Sequence, residues 1–203
     1  MKKVIIAGIL VLAGLGVFAQ AGTGYVAVLP GYQFNTGSYT YNYQGLMTKA
    51  KGEGNFVTSL DFGYFFTDKI GIHAGYMYDK GDYKASLSYP PFFYTPDYKF
   101  SRQVNLFEVG PEFVGQAGQN GQIYGQINVG YTFGGSDTKF YLNGHRYDMG
   151  NVGSNEWAFG GALGYRYFFN SSVGLGLQAT YHHIDKWEVN DFWDARLGIW
   201  FKF

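Results

Sequence analysis

Phe192-Trp193-Asp194-Ala195-Arg196-Leu197-Gly198-Ile199-Trp200-Phe201-Lys202-Phe203 closes the chain, and its alternation decides the fold. Counting back from the end, Phe203, Phe201, Ile199, Leu197, Ala195 and Trp193 are all apolar, while Asp194, Arg196 and Lys202 fall in the interleaved set. Successive side chains of a β-strand point to opposite faces, so this strand has one greasy face and one charged face. In a water-soluble protein the greasy face packs into a core. In a bacterial outer membrane the same pattern reads as lipid outside and a polar lumen inside.

Working outward, seven further segments alternate with period two: residues 25–34, 56–66, 70–78, 103–114, 122–133, 156–169 and 172–183. In Phe56–Phe66, for example, Phe56, Leu60, Phe62, Tyr64 and Phe66 oppose Ser59, Asp61 and Gly63. The connections alternate in length. Thr67-Asp68-Lys69, the stretch around Ala117-Gly118-Gln119-Asn120, and Asn170-Ser171 are tight turns. Residues 37–54, 79–101 and 134–154, and a shorter stretch near 185–191, are expected to be long loops. Short turns on one side and long loops on the other are the habit of outer-membrane barrels, with the turns and both mature termini in the periplasm. That topology sorts the outward aromatics into two girdles. Tyr76, Tyr131, Trp157, Tyr181 and Trp193 fall at the loop end, and Tyr64, Phe66, Phe113, Tyr167, Phe169 and Phe201 at the turn end. A soluble all-β barrel or sandwich is the rival fold, and it would put these rings in a core instead.

The N-terminus supplies an address. Lys2 and Lys3 precede an uncharged apolar run, Val4 to Phe18, and Ala19-Gln20-Ala21 offers small residues for a signal peptidase. The run is marginal for a transmembrane helix, which takes about 20 apolar residues. Residues 1–21 are therefore expected to be a cleaved secretory signal and residues 22–203 one β-barrel domain, with cleavage after Ala19 the near alternative. The low charge, 15%, and high aromatic content, 21%, suit a chain that presents rings to a membrane interface. Cysteine is absent, which rules out thiolate metal sites and a disulfide framework. Without the signal lysines, 13 basic residues face 15 acidic ones, so no basic surface is offered to nucleic acid.

The strand–turn–strand stretches Phe66-Thr67-Asp68-Lys69-Ile70-Gly71-Ile72 and Gly164–Leu175, with the closing Gly198-Ile199-Trp200-Phe201-Lys202-Phe203, resemble small eight-stranded outer-membrane barrels. The membrane domain of outer-membrane protein A and the Ail/Lom adhesin-type barrels are the families meant. Ending on an aromatic in this phase resembles the C-terminal signature of such barrels. The resemblance implies an all-β, eight-stranded antiparallel up-and-down transmembrane barrel in the outer membrane. Its implied partners are outer-membrane lipids, lipopolysaccharide and the barrel assembly machinery, the last through the strand ending at Phe203. The chain departs from outer-membrane protein A in having no peptidoglycan-binding domain behind the barrel, so a cell-wall tether is not supported.

By parity the lumen-facing ionisable residues are Asp61, His73, Glu108, Glu112, Arg166, Asp194, Arg196 and Lys202. They suit a polar pore or a catalytic carboxylate pair. They suit better a bore filled by its own side chains, since eight strands enclose little more and buried charges must pair. Counting from the turns puts Glu112 level with Arg166 and Glu108 level with Arg196, and these four are expected in one buried network. His182 also faces the lumen by parity. His183 continues the lipid face, as the histidine of lipid A 3-O-deacylases does. Those barrels carry a serine two residues on, whereas here Asp185 holds that place and no Ser occurs from Val173 to Phe203. Glu188 could orient His183, but a hydroxyl nucleophile is missing.

The loops are the more plausible working surface. Tyr39, Tyr41 and Tyr43 alternate, as a hairpin standing above the membrane would, and Phe92, Phe93 and Tyr94 follow a Pro-stiffened turn. Exposed rings can grip a host or envelope surface ligand, or they can pack on one another as a cap. The reading is a non-enzymatic outer-membrane barrel, with no cofactor, acting in envelope integrity, adhesion or surface recognition. The alternatives are an outer-leaflet lipid-modifying enzyme and a narrow passage for small hydrophobic solutes, as in OmpW-like barrels.

Overall fold

Eleven β-strands and no helix make up the described residues of the computed structural model, which are 21–35, 38–43, 46–52, 54–86, 97–142, 145–153, 155–185 and 191–203. The strands are β1 (Gly24–Asn35), β2 (Ser38–Tyr43), β3 (Leu46–Gly52), β4 (Asn55–Phe65), β5 (Ile70–Ser86), β6 (Asp97–Gln116), β7 (Gly121–Leu142), β8 (His145–Gly153), β9 (Trp157–Phe168), β10 (Val173–Ile184) and β11 (Asp191–Lys202). Eight of them close into a ring in the order β1, β4, β5, β6, β7, β9, β10, β11 and back to β1, every neighbour antiparallel. Of the expected signal segment, only Ala21 is among the described residues.

Closure answers the physical demand of lipid, where each backbone N–H and C=O must find a partner within the sheet. Two prolines test that rule, since neither can donate to a ladder. Beside Pro30 the β1–β11 pairing passes from Val28↔Ile199 to Gly31↔Arg196, and beside Pro111 the β6–β7 pairing passes from Val109↔Val129 to Glu112↔Gln126. Both gaps leave the register unshifted. At the turn end, local side chains fix the reversals. Thr67 Oγ1 accepts from the N–H of Lys69 (3.2 Å) and Ile70 (3.0 Å), and Asn170 Oδ1 accepts from Ser172 and Val173 (2.8 Å each). Gly118 supplies the positive φ, 82°, that the β6–β7 turn needs.

Burial is inverted relative to a soluble protein. Leu163, Leu177 and Leu197 are 59–62% exposed, and Val28, Ile72, Phe107, Val129 and Ile199 are also exposed. Asp61, His73, Glu108, Glu112, Arg166, Asp194 and Arg196 are buried. A contiguous apolar exterior of this size would be an aggregation surface in water, and it fits a hydrocarbon solvent. This inversion removes the soluble rival. Neighbouring rings of the two girdles touch: Tyr64 and Phe66 lie 5.5 Å apart and Tyr167 and Phe169 5.7 Å apart at the turn end, Tyr131 and Trp157 5.4 Å apart and Tyr181 and Trp193 4.9 Å apart at the other.

Three stretches expected as long loops contain ordered strand. β5, β6 and β7 run 17, 20 and 22 residues, against 11 or 12 for the other five barrel strands. A transmembrane strand needs about 9–11 residues, so these three continue well past the barrel. The β2–β3 hairpin joins them through Lys51↔Lys84 and Gly52↔Tyr83, and β8 joins β7. The result is a crown on one side of the mouth, with strands in the order β2, β3, β5, β6, β7, β8. The alternation that marks strands is still present there, but its apolar set changes face, which is why the stretches read as loops.

Candidate functional site

Three layers fill the bore. At the turn end the guanidinium of Arg166 on β9 is enclosed by rings, its Cζ 4.8 Å from the centre of Tyr25, 4.9 Å from Tyr124, 5.5 Å from Phe65 and 6.0 Å from Phe168. Such stacking is favourable when the cation is desolvated. Arg166 pairs with Glu112 Oε1 at 3.0 Å and donates from Nε to Gln122 Oε1 at 2.7 Å. The other carboxylate oxygen of Glu112 accepts from Tyr25 Oη and from Gln126 Nε2 (2.9 Å). Tyr124 donates to Gln178, which donates to Thr180. Two glycines make room for the rings. A Cβ on Gly63 would meet the Tyr25 ring at 2.0 Å, and one on Gly164 would meet Tyr124 at 2.3 Å.

The middle layer is charged. Asp194 grips Arg196 at two points, 2.7 Å to Nε and 2.8 Å to a terminal nitrogen. Arg196 also donates from its other terminal nitrogen to Ser59 Oγ (2.9 Å), and the terminal nitrogen that meets Asp194 lies 3.1 Å from His182 Nε2. His182 stands 3.3 Å from Asp194 and 3.6 Å from Glu108, and stacks on Phe192 with ring centres 4.9 Å apart. His73 lies 3.9 Å from Glu108. Asp61 adjoins them: a Cβ on Gly75 would lie 3.2 Å from Asp61 Oδ1 and 3.3 Å from His73 Nε2 and Glu108 Cγ. Above this belt an apolar cluster of Val57, Met77, Val104, Leu106, Ile184 and Phe192 closes the crown end.

The structure thus places Glu112 directly on Arg166, while Glu108 and Arg196 meet through His182 rather than with each other. Lys202 stands apart, half-buried at the turn end. No three His, Asp or Glu side chains among the described residues are grouped to hold a metal ion. Tyr39, Tyr41 and Tyr43 occupy β2 opposite Ala50, Thr48 and Leu46. Phe92, Phe93 and Tyr94 lie outside the described residues. Sequence reasoning passed over the rings of the plug, Tyr25, Tyr124 and Trp200, though each sits in the same phase as the lumen charges. Parity carried that signal, and a ring in lumen phase opposite a glycine would have found it.

On the outer wall at the crown end, His183 Nδ1 lies 2.8 Å from Asp191 Oδ1, and Tyr181 donates to the same oxygen at 2.5 Å. The acid beside His183 is therefore Asp191 on the neighbouring strand. Asp185 is exposed in the turn, and Glu188 lies outside the described residues.

Neither a scan against protein families nor a search of curated proteins finds a match. Solved structures do match in shape. The outer membrane protein OprG from Pseudomonas aeruginosa superposes with a TM-score of 0.57 at 17% identity, over 92% of this chain and 98% of that one. Neisserial surface protein A gives 0.52 at 13%, over 90% and 98%. Ail, the attachment invasion locus protein of Yersinia pestis, in complex with the heparin analogue sucrose octasulfate, gives 0.51 at 13%, over 91% and 100%. At these identities the likeness is one of fold. With its closed ring of eight strands and its lipid-facing exterior, this chain is in architecture a small eight-stranded outer-membrane β-barrel.

Proposed function

We propose that this protein is a non-enzymatic outer-membrane barrel that works by adhesion or surface recognition through the crown, with both mature termini in the periplasm and residues 1–21 removed as a secretory signal. The observation that carries this is the contrast between a bore filled along its length and strands that extend well past it. Arg166 in its ring of aromatics, the charged belt and the apolar cluster occupy the bore with packed, buried side chains, which argues against a passage for solutes through it. The crown, in contrast, adds an ordered surface that membrane spanning does not require. Ail, known in complex with a heparin analogue, has a barrel of the same architecture. That supports reading a small barrel as the carrier of a ligand-binding outer surface. Lipopolysaccharide around the wall, and the barrel assembly machinery at the strand ending in Phe203, remain the partners this reading expects.

Two measurements test it together. Protein reconstituted in planar bilayers should show no large, steady, ion-selective conductance. Cells displaying it should attach to host cells, extracellular matrix or neighbouring envelope components more than cells lacking it, and replacing Phe92, Phe93 and Tyr94 with Ser should weaken that attachment while leaving heat-modifiable gel mobility intact. A steady conductance, or attachment equal with and without the protein, overturns the reading.

A further inference from the structure

In the layers that fill the bore, four buried carboxyl groups face two arginines. Asp61, Glu108, Glu112 and Asp194 carry the negative charge and Arg166 and Arg196 the positive, and none of the six is more than 5% exposed. With every carboxyl ionised, these layers are short of two positive charges. The turn-end layer balances by itself, Glu112 on Arg166, so the deficit lies in the charged belt. Two buried imidazoles stand there. His182 lies 3.6 Å from Glu108 and 3.3 Å from Asp194, and His73 lies 3.9 Å from Glu108.

Among the described residues, nothing else that faces the belt makes up the difference. β1 and β7 present uncharged Gln33, Gln126 and Asn128, and the phenols of Tyr25 and Tyr124 belong to the turn-end layer. β9 brings only Arg166. Asp79 on β5 is level with Val57 and Val104 in the apolar cluster and has interactions of its own. Lys202 stands half-buried at the turn-end mouth. No grouping of His, Asp and Glu suits a metal ion. A buried charge left unpaired is costly, and such a group neutralises instead. Asp61 Oδ1 and both ring nitrogens of His73 make no hydrogen bond among the described residues.

We infer that the bore holds two protons, shared among Asp61, His73, Glu108 and His182, which lock it as a neutral plug. Such protons belong to the cluster rather than to one residue. The lock touches the seal above it: His182 stacks on Phe192, and Arg196 donates to Met77 Sδ at 3.1 Å. Raising the pH strips the protons and leaves two negative charges beneath that apolar cluster. This goes beyond the proposed function and stands whether or not the crown binds a partner.

The sign of the pH effect follows from the proton count. Above about pH 7 the imidazoles and carboxyls of an unfolded chain have lost most of their protons, while the folded bore keeps two. Stability therefore falls as pH rises through that window. Each extra proton on the folded chain raises the unfolding constant about tenfold per pH unit.

The test follows urea unfolding of the full-length barrel in phospholipid vesicles by tryptophan fluorescence, between about pH 7 and pH 9. Wild type should show an unfolding constant that rises about a hundredfold per pH unit, the slope of two protons. Glu108→Gln removes one negative charge and should bring the slope to about tenfold. Asp61→Asn with Glu108→Gln removes both and should leave the constant nearly independent of pH. A wild-type slope below about threefold per unit, or equal slopes in all three proteins, overturns the inference. Should the double variant not refold, direct proton counting decides. Wild type unfolded by urea without buffer at about pH 7.5 should release about two protons per chain, and Glu108→Gln about one. Release of less than one proton by wild type, or equal release by both, overturns it.

Discussion

The barrel wall and the crown share three strands, β5, β6 and β7, which run through both in one continuous register, yet the chemistry of the two parts is reversed. On β5 the wall puts Ile70, Ile72, Tyr76 and Tyr78 outside and His73, Met77 and Asp79 inside. A few residues on, the register positions that continue the outer set hold Lys80, Asp82 and Lys84, and those that continue the inner set hold Tyr83 and Ala85. On β6, the register positions that continue Phe107 and Val109 hold Gln103, Ser101 and Lys99, and those that continue Glu108 hold Phe100 and Tyr98. The backbone does not change. What changes is the solvent: lipid favours an apolar exterior and tolerates charge only within, and water favours the opposite. The reversal therefore marks the membrane surface, between Tyr78 and Lys80 on β5.

The largest way to break the comparison lies in the bore. Arg166→Met leaves the buried Glu112 carboxylate without its cation and should destabilise the barrel by about 3–5 kcal/mol. Urea unfolding in lipid vesicles, followed by tryptophan fluorescence, measures this. Adding Glu112→Gln should restore most of the loss. A neutral single variant would show that the turn end is hydrated and that the wall does not need a sealed interior.

The next test moves a charge across the boundary. Leu163 lies midway along β9, six residues from both Trp157 and Phe169. Leu163→Arg should cost about 2–4 kcal/mol in the same assay. Ser101→Arg, in the crown on the face that continues the lipid-facing set, should change stability by no more than about 0.5 kcal/mol. Equal costs at the two sites would erase the solvent boundary and with it the division of labour between wall and crown.

A smaller effect is expected where wall and plug touch. Gly164→Ala puts a methyl group against the Tyr124 ring and should cost about 1–3 kcal/mol through overpacking. In a Tyr124→Ala background the same change should cost less, because the ring it strikes is gone. Unequal costs in the two backgrounds would locate the strain in that contact.

How much of this could be read beforehand follows from the same reversal. The eight wall strands were legible because lipid on one side and a packed bore on the other keep a strict alternation of one sense, as in Phe192–Phe203. The charged belt was legible from parity alone, and Asp194 and Arg196 lie on one strand at spacing two. The partner of Glu108 was not, because it depends on how tilted strands bring His182 from β10 beside Arg196. Nor was the crown. A search for apolar residues outside loses the phase once Lys84 and Lys99 hold that place, though Tyr83 and Phe100 keep the period of two on the opposite face. Within the bore, aromatic rings belonged to the lumen set at Tyr25 and Tyr124, against the expectation that rings mark the girdles.

The smallest expected effect is at the rim where wall meets crown. His183 and Asp191 form an exposed pair at 2.8 Å, and exposed pairs contribute little, typically about 0–1 kcal/mol. His183→Ala should therefore shift stability by no more than about 0.5 kcal/mol. It should also leave the acyl chains of lipid A unchanged when cells with the wild-type and variant proteins are compared by mass spectrometry. The chemical reason is specific. An imidazole oriented by Asp191 could serve as a general base, but the hydroxyl that shares the carboxylate is the phenol of Tyr181, which donates to Asp191 rather than to the imidazole. A serine hydroxyl in hydrogen-bond reach of the imidazole, which acyl transfer of that kind uses, has no counterpart on β10 or β11. Loss of a lipid A acyl chain that depends on both His183 and Tyr181 would move the working site from the crown to the rim, and the barrel would then have to be read as an enzyme.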